Sequence, residues 1–227
     1  MWESRKLPGL KQRPPILLEA FHFMVDAQAV AALTFEFRDM SDGQTLKSLE
    51  LIRMLLEYSP DPFSREQFTP GHITCSGLVF APDARRILIV YHRRLGRWLL
   101  PGGHVEPSDD TIDAAASREV LEETGVSVAN GRFAGADVHG IPAKRHEPYH
   151  LHHDLLFRFR AEAEAFTCSE ESRAVAWCAP EEFDRYAIPD KRTPGVGSQR
   201  LTIAYETIPL RSIPVLRPSL PPRPACE

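Results

Sequence analysis

The stretch Gly102-Gly103-His104-Val105-Glu106-Pro107, followed by Arg118-Glu119-Val120-Leu121-Glu122-Glu123-Thr124-Gly125-Val126, decides how this chain folds. Its second half sets three carboxylates and an arginine within the six residues Arg118 to Glu123, just ahead of a glycine. Side chains three and four apart on a helix share a face, so Glu119, Glu122 and Glu123 converge if the stretch is helical. Like charges at that spacing repel, and a bound divalent cation removes the penalty. Hard cations such as Mg²⁺ take oxygen ligands, keep several waters and usually work on phosphates. The residues therefore predict a magnesium site for a phosphorylated substrate. A lone glutamate-rich segment is most often solvated surface. The glycine loop ahead of this one and the Arg-Glu pair inside it set it apart.

The local pattern supports a helix from Thr111 to Thr124, with Ala114, Ala115, Ala116, Val120 and Leu121 and no internal glycine or proline. It would be about 21 Å long. Asp109 or Asp110 can cap its start, and Gly125 suits the position after its end. Upstream, Trp98-Leu99-Leu100 reads as a short buried strand, and Pro101-Gly102-Gly103 turns the chain where glycine lets backbone oxygens approach a ligand closely.

This unit resembles the signature of the Nudix hydrolases, G-x5-E-x7-R-E-U-x-E-E-x-G-U with U a bulky apolar residue. Gly103, Arg118, Glu119, Val120, Glu122, Glu123, Gly125 and Val126 match it. There are two departures: one extra residue before the first acidic position, and an aspartate, Asp110, at that position. The insertion falls in a loop, where length changes are tolerated. The resemblance implies an α/β fold, a Nudix-like α/β/α sandwich with a mixed sheet, over roughly residues 71–190. It implies hydrolysis of a nucleoside diphosphate linked to another moiety, a small nucleotide-like molecule. It places Glu119, Glu122 and Glu123 as ligands of Mg²⁺, or alternatively Mn²⁺, with a backbone carbonyl of Gly102 or Gly103. Glu119 would also orient or deprotonate the water, Arg118 would brace a catalytic glutamate, and Asp110 would support them. A late-loop glutamate, Glu170 or Glu171, is a further metal candidate. The alternative is a relative of the same fold that binds nucleotide without turnover.

Composition fits an enzyme with one main domain. The chain has 227 residues, 43% of them hydrophobic, and its 27 basic and 31 acidic residues give a net charge of -4. That balance argues against bulk nucleic-acid binding. No run of 18 apolar residues occurs, and the apolar stretch Leu17 to Phe37 is broken by Glu19, Asp26 and Glu36, which argues against a membrane span or a signal peptide. None of Cys75, Cys168, Cys178 and Cys226 is spaced as C-x-x-C, so reduced thiols and a cytoplasmic location are expected.

Four regions follow. Residues 1–40 read as an N-terminal extension with little fixed structure, Met40-Ser41-Asp42-Gly43 reading as a natural start. Residues 41–70 hold an amphipathic helix over 44–58, with Leu46, Leu49, Leu51, Ile52, Leu55 and Leu56 as its stripe, and a link stiffened by Pro60, Pro62 and Pro70. That helix packs on the catalytic domain or, alternatively, contacts a partner or a second copy in a homodimer. Residues 71–190 form the catalytic domain, with strands at His72–Phe80, Arg86–Tyr91, Trp98–Leu100, Arg132–Val138, His150–Arg160 and Ala174–Cys178 and a second helix opening at Pro180. Residues 191–227 form a proline-rich tail with no regular element.

A second group of interest is His146, His150, His152, His153 and Asp154. In a strand, His150, His152 and Asp154 face one side while His153, Leu155 and Phe157 face the other. Three readings stand: polar strand residues satisfied by their neighbours, a substrate-contacting face in which His152 and Asp154 take part, or a separate site for zinc or another transition metal, which imidazole suits. His104 and His92 are placed to join the substrate face. Arg94 and Arg97, beside Arg93, could clamp an outer phosphate or lie on a solvated turn. Trp98 is a candidate for base stacking or, with its leucine neighbours, for the core. The loop Gly140–Pro148, with Lys144 and Arg145, is placed to carry specificity.

Overall fold

A computed structural model describes residues 23–37, 43–144 and 146–186. The element order is α1 (Ala27–Glu36), α2 (Gly43–Tyr58), β1 (Gly71–Phe80), β2 (Ile87–His92), β3 (Arg97–Leu99), β4 (Gly102–His104), α3 (Ile112–Thr124), β5 (Val128–Ile141), β6 (His150–Ala161), β7 (Ser172–Cys178), then a 3-10 turn at Pro180–Glu182. The strands form one mixed sheet in the order β3-β2-β1-β6-β5, with β4 also paired to β1 and β7 to β2. Among the described strands only the central pair β1–β6 is parallel, in register from Gly71↔Leu151 to Phe80↔Arg160. Every residue of β1 is buried, as expected of a strand covered on both faces.

Alternation along the strands separates two apolar layers. Ile73, Cys75 and Val79 of β1 and Leu155, Phe157 and Phe159 of β6 pack with Ile112, Ala115, Ala116 and Val120 of α3 and with Ile52 and Leu55 of α2. Leu78, Phe80, Ile87, Ile89 and Leu100 form the opposite layer, closed by Trp98, Phe183 and Tyr186. Trp98 therefore belongs to this core, edge-on to Tyr91 and Tyr186. Helix α3 rests close on β1 because Gly77 lies under it: a Cβ on Gly77 would fall 2.4 Å from a Val120 methyl.

Several expectations change. Residues 27–36, expected to lack fixed structure, form a helix whose Val30 is buried in the first layer with Val25. Its Asp26 cap bonds Gln28 N–H, and Arg53 of α2 donates to Thr34 Oγ1 and O at 3.0 and 2.7 Å, clamping the two helices. The expected stripe of α2 holds at Leu49, Ile52 and Leu55, but Leu51 is exposed. The Gly102-Gly103 turn is itself a strand, because its extended backbone pairs with Thr74, Cys75 and Ser76 of β1. Strand β5 is longer than expected and passes through register shifts between Ala129 and Arg132 and between Phe133 and Gly135. After Pro180 only the 3-10 turn lies among the described residues, and the proline-rich tail falls outside them. Cys75 and Cys178 are free and buried, while Cys168 is disulfide-bonded, against the expectation of reduced thiols throughout. No described helix is long and apolar enough to cross a membrane.

Candidate active site

Helix α3 delivers the acidic residues. Its cap is Thr111, not Asp109 or Asp110: extended backbone at Thr111 lets its hydroxyl accept from Ala114 N–H at 3.2 Å. Gly125 ends the helix at φ 67° with its N–H bonded to Leu121 O.

Arg118 is the hub. Its guanidinium donates to both carboxylate oxygens of Asp109 (2.9 and 3.0 Å), to Glu119 Oε1 (3.0 Å), to Glu122 Oε2 (3.0 Å) and to the carbonyl of His104 (2.9 Å). The supporting acid is thus Asp109; Asp110, expected in that role, is exposed. Asp109 also accepts from Glu106 N–H at 2.7 Å, which folds the loop back on the helix. The extra residue relative to the signature therefore lies after the supporting acid, at the helix entry.

Glu123 is buried, and one of its oxygens accepts from Gly102 N–H at 3.0 Å. Burial, then repulsion from Glu119 and Glu171, pushes its carboxyl up to about 8, with the Gly102 bond opposing. Glu119 is raised too, by burial first, against the pull of Arg118 and with repulsion from Glu122 and Glu171. Burial and like charge thus disfavour the ionised forms of Glu119 and Glu123, and Glu171 of the late loop adds to the repulsion on both. Of the late-loop candidates Glu171 is the one whose charge reaches them, positioned by the bond from Arg93 N–H to its carbonyl. Glu122 is more open, its side chain 58% exposed, and turns to Arg118. The three carboxylates expected to converge do not all lie within 4.8 Å of one another: Nη1 of Arg118 holds Glu119 and Glu122 together, while Glu123 turns to Gly102 N–H.

The glycines make room. A Cβ on Gly103 would fall 2.6 Å from Glu119 Oε2, and one on Gly102 would fall 2.4 Å from the Cys75 carbonyl. The Gly103 carbonyl, expected together with that of Gly102 as a backbone metal ligand, accepts a long contact from the Cys75 thiol at 3.8 Å.

A polar patch lies on the face of the sheet turned away from α3. Parallel register sets His72 beside His152 and Thr74 beside Asp154, and β5 adds His139 opposite His152. Asp154, expected to touch substrate, is buried and accepts from Thr74 and Ser76 hydroxyls at 3.0 Å each, so it organises the sheet interior. Its carboxyl is pushed up to about 6 by burial, against the pull of His139 and the two hydroxyls. His104 and His152 join the patch, their rings 5.3 Å apart. His153 points to the other face and is buried. His146 is exposed, and His92 Nδ1 accepts from Arg94 and Leu95 N–H, which shapes the β2–β3 turn. Arg94 and Arg97 are exposed near that turn, Arg94 close enough to lower the His104 pKa. Sequence reasoning missed Asp109, His72 and His139. The latter two share no local motif with His152 and meet it only through strand pairing.

A family model described as NUDIX domain matches residues 71–195. This chain belongs to the Nudix family. A MutT-like protein of Streptomyces ambofaciens is 33% identical over 113 residues, covering 48% of this Nudix chain and 65% of that relative. A putative 8-oxo-dGTP diphosphatase of Bacillus subtilis (strain 168) is 28% identical over 110 residues, covering 48% and 68%. The solved Nudix domain of Shewanella oneidensis NrtR, in complex with ADP ribose, is 18% identical with a TM-score of 0.44, covering 58% of this chain and 84% of that one.

Proposed function

We infer that this Nudix chain hydrolyses the diphosphate linkage of a small nucleotide-like molecule with the help of a divalent metal. The observation that carries the reading is the guanidinium of Arg118, which joins Asp109, Glu119, Glu122 and the His104 carbonyl beside the buried Glu123. The donor set fits a hard cation: it is all oxygen, and the buried glutamates repel one another in a way that positive charge relieves. Glu119, Glu122 and Glu123, with Glu171 at the edge, would hold Mg²⁺ or Mn²⁺. Such an ion, when bound, would neutralise charge on the diphosphate and acidify a bound water.

The chain's own groups do the rest. Arg118 fixes Glu119 and Glu122, and Asp109 fixes Arg118 from behind. Glu119, held against Gly103, is positioned to orient the attacking water and take its proton. Gly102 N–H holds Glu123 in place. Arg94 and Arg97, exposed near the β2–β3 turn, would meet an outer phosphate, and His104 would contact the substrate. The products would be two phosphate-bearing fragments, as attack on phosphorus requires.

The test is phosphate-ester release from a panel with and without Mg²⁺ or Mn²⁺. The panel includes nucleoside triphosphates, oxidised nucleotides such as the substrate named for the Bacillus subtilis relative, and nucleoside diphosphates linked to sugars. Metal-dependent turnover that disappears in Glu122→Gln supports the reading. Nucleotide binding with no turnover of any panel member would replace it with a binding module.

A further inference from the structure

Among the described residues, one group of three side chains has ligand atoms all within 4.8 Å of one another, and it lies outside the acidic cradle: His72, His150 and His152. The strands bring them together. His72 stands on β1 in register with His152 on β6, and His150 lies two residues away on the same face of β6. The rings sit 4.9 Å (His72 and His152), 5.1 Å (His72 and His150) and 5.3 Å (His150 and His152) apart between centroids.

Their tautomers are set by the backbone. His72 Nδ1 lies 3.1 Å from the Gln67 carbonyl and His150 Nδ1 lies 2.8 Å from the Pro148 carbonyl. A carbonyl only accepts, so in each neutral ring Nδ1 carries the proton and Nε2 keeps its lone pair. A ring N–H bonded to a carbonyl is also how proteins orient histidines that bind metal through the other nitrogen. His72 is 1% exposed and its Nε2 has no hydrogen-bond partner. A buried lone pair with nothing to accept from is a costly feature for a fold to keep.

We propose that His72, His150 and His152 form a second metal site, for one Zn²⁺ ion, distinct from the oxygen-lined cradle on α3. Three imidazoles with no carboxylate among them select a borderline transition metal over Mg²⁺. Zn–N bonds are about 2.0–2.1 Å, so an ion at the centre of a triangle of this size sits roughly 0.7 Å too far, a gap that small ring rotations close. A bound ion would tie the starts of the two central parallel strands together, next to His104, whose ring lies 5.1 Å from that of His72.

The experiment strips the full chain with a chelator, saturates it with Mg²⁺ to occupy the cradle, and titrates Zn²⁺ against a chromophoric competitor. Co²⁺ serves as an optical probe in parallel. The expected result is one equivalent of Zn²⁺ bound, an affinity falling roughly 100-fold or more in His150→Ala and His152→Ala, and unchanged affinity in Glu122→Gln. The Co²⁺ form should show the visible bands of a nitrogen-ligated, low-coordinate ion, a readout on the unaltered chain that survives if a variant fails to fold. No stoichiometric Zn²⁺ in the unaltered chain overturns the proposal, as does binding lost in Glu122→Gln and kept in His150→Ala. A Zn²⁺-free chain in which His152→Ala weakens only nucleotide binding overturns it too, in favour of a substrate contact. None of these readings depends on turnover, so the diphosphatase reading stands or falls separately.

Discussion

Replacing Asp109 and Asp110 one at a time separates two adjacent residues that look alike in the sequence. Asp109→Ala removes a side chain that is 5% exposed and bonded to Arg118 through two charge-assisted hydrogen bonds, at 2.9 and 3.0 Å. It also leaves Glu106 N–H without its partner. Charge-assisted bonds contribute about 1.5–3 kcal/mol each, and breaking a buried pair costs about 3–5 kcal/mol. Arg118 keeps Glu119, Glu122 and the His104 carbonyl, so the lower end applies, about 3 kcal/mol. For a domain of this size that is a fall in Tm of roughly 6–12 °C. Asp110→Ala, an exposed position, should change stability by less than about 0.5 kcal/mol. Thermal and urea unfolding of the two variants beside the unaltered chain measures both. Equal losses, or a larger loss at Asp110, would refute the placement of Asp109 behind Arg118.

Other outcomes follow from the same geometry. Gly103→Ala sets a methyl 2.6 Å from the end of the Glu119 side chain, which can yield; metal affinity by calorimetry should fall about tenfold while Tm moves little. Gly102→Ala drives its methyl into the Cys75 backbone, which cannot yield, so unfolding should show a loss of about 1–3 kcal/mol. Gly77→Ala should cost a similar amount, and adding Val120→Ala should recover part of it, because the added methyl meets a Val120 methyl at 2.4 Å. In metal-free protein the raised Glu123 carboxyl favours the folded state only while protonated. Its contribution is complete below about pH 4.5 and is lost as pH rises through about 8, on the order of 4 kcal/mol. Denaturation from pH 5 to 9 should show that decline, Glu123→Gln should flatten it, and a chelator-treated chain that holds its stability to pH 9 would contradict the burial argument.

Helix α3 was legible because periodicity, a terminal glycine and an acidic cluster agree there. Its capping residue was not: Asp109, Asp110 and Thr111 are all good caps, and only the extended backbone of Thr111 distinguishes it. The same ambiguity misassigned the supporting acid by one position. Gly102-Gly103 read as a turn because paired glycines usually make one, whereas here their missing side chains let β4 lie against β1 and Glu119. The sides taken by residues of β6 followed from simple alternation. The partners across the sheet did not, since His72 and His152 are 80 positions apart in a chain whose parallel pairing no local pattern announces. Helix α1 was missed because its apolar residues have no clear period, and its place depends on Arg53 and Val30 meeting the rest of the fold.

The reach of Arg118 has a consequence for motion. One side chain grips the loop after β4 through Asp109 and His104 and the helix through Glu119 and Glu122. Neither part can open while the latch is closed, so amide protons of the loop and of the helix should exchange with solvent in a single concerted event rather than one after the other.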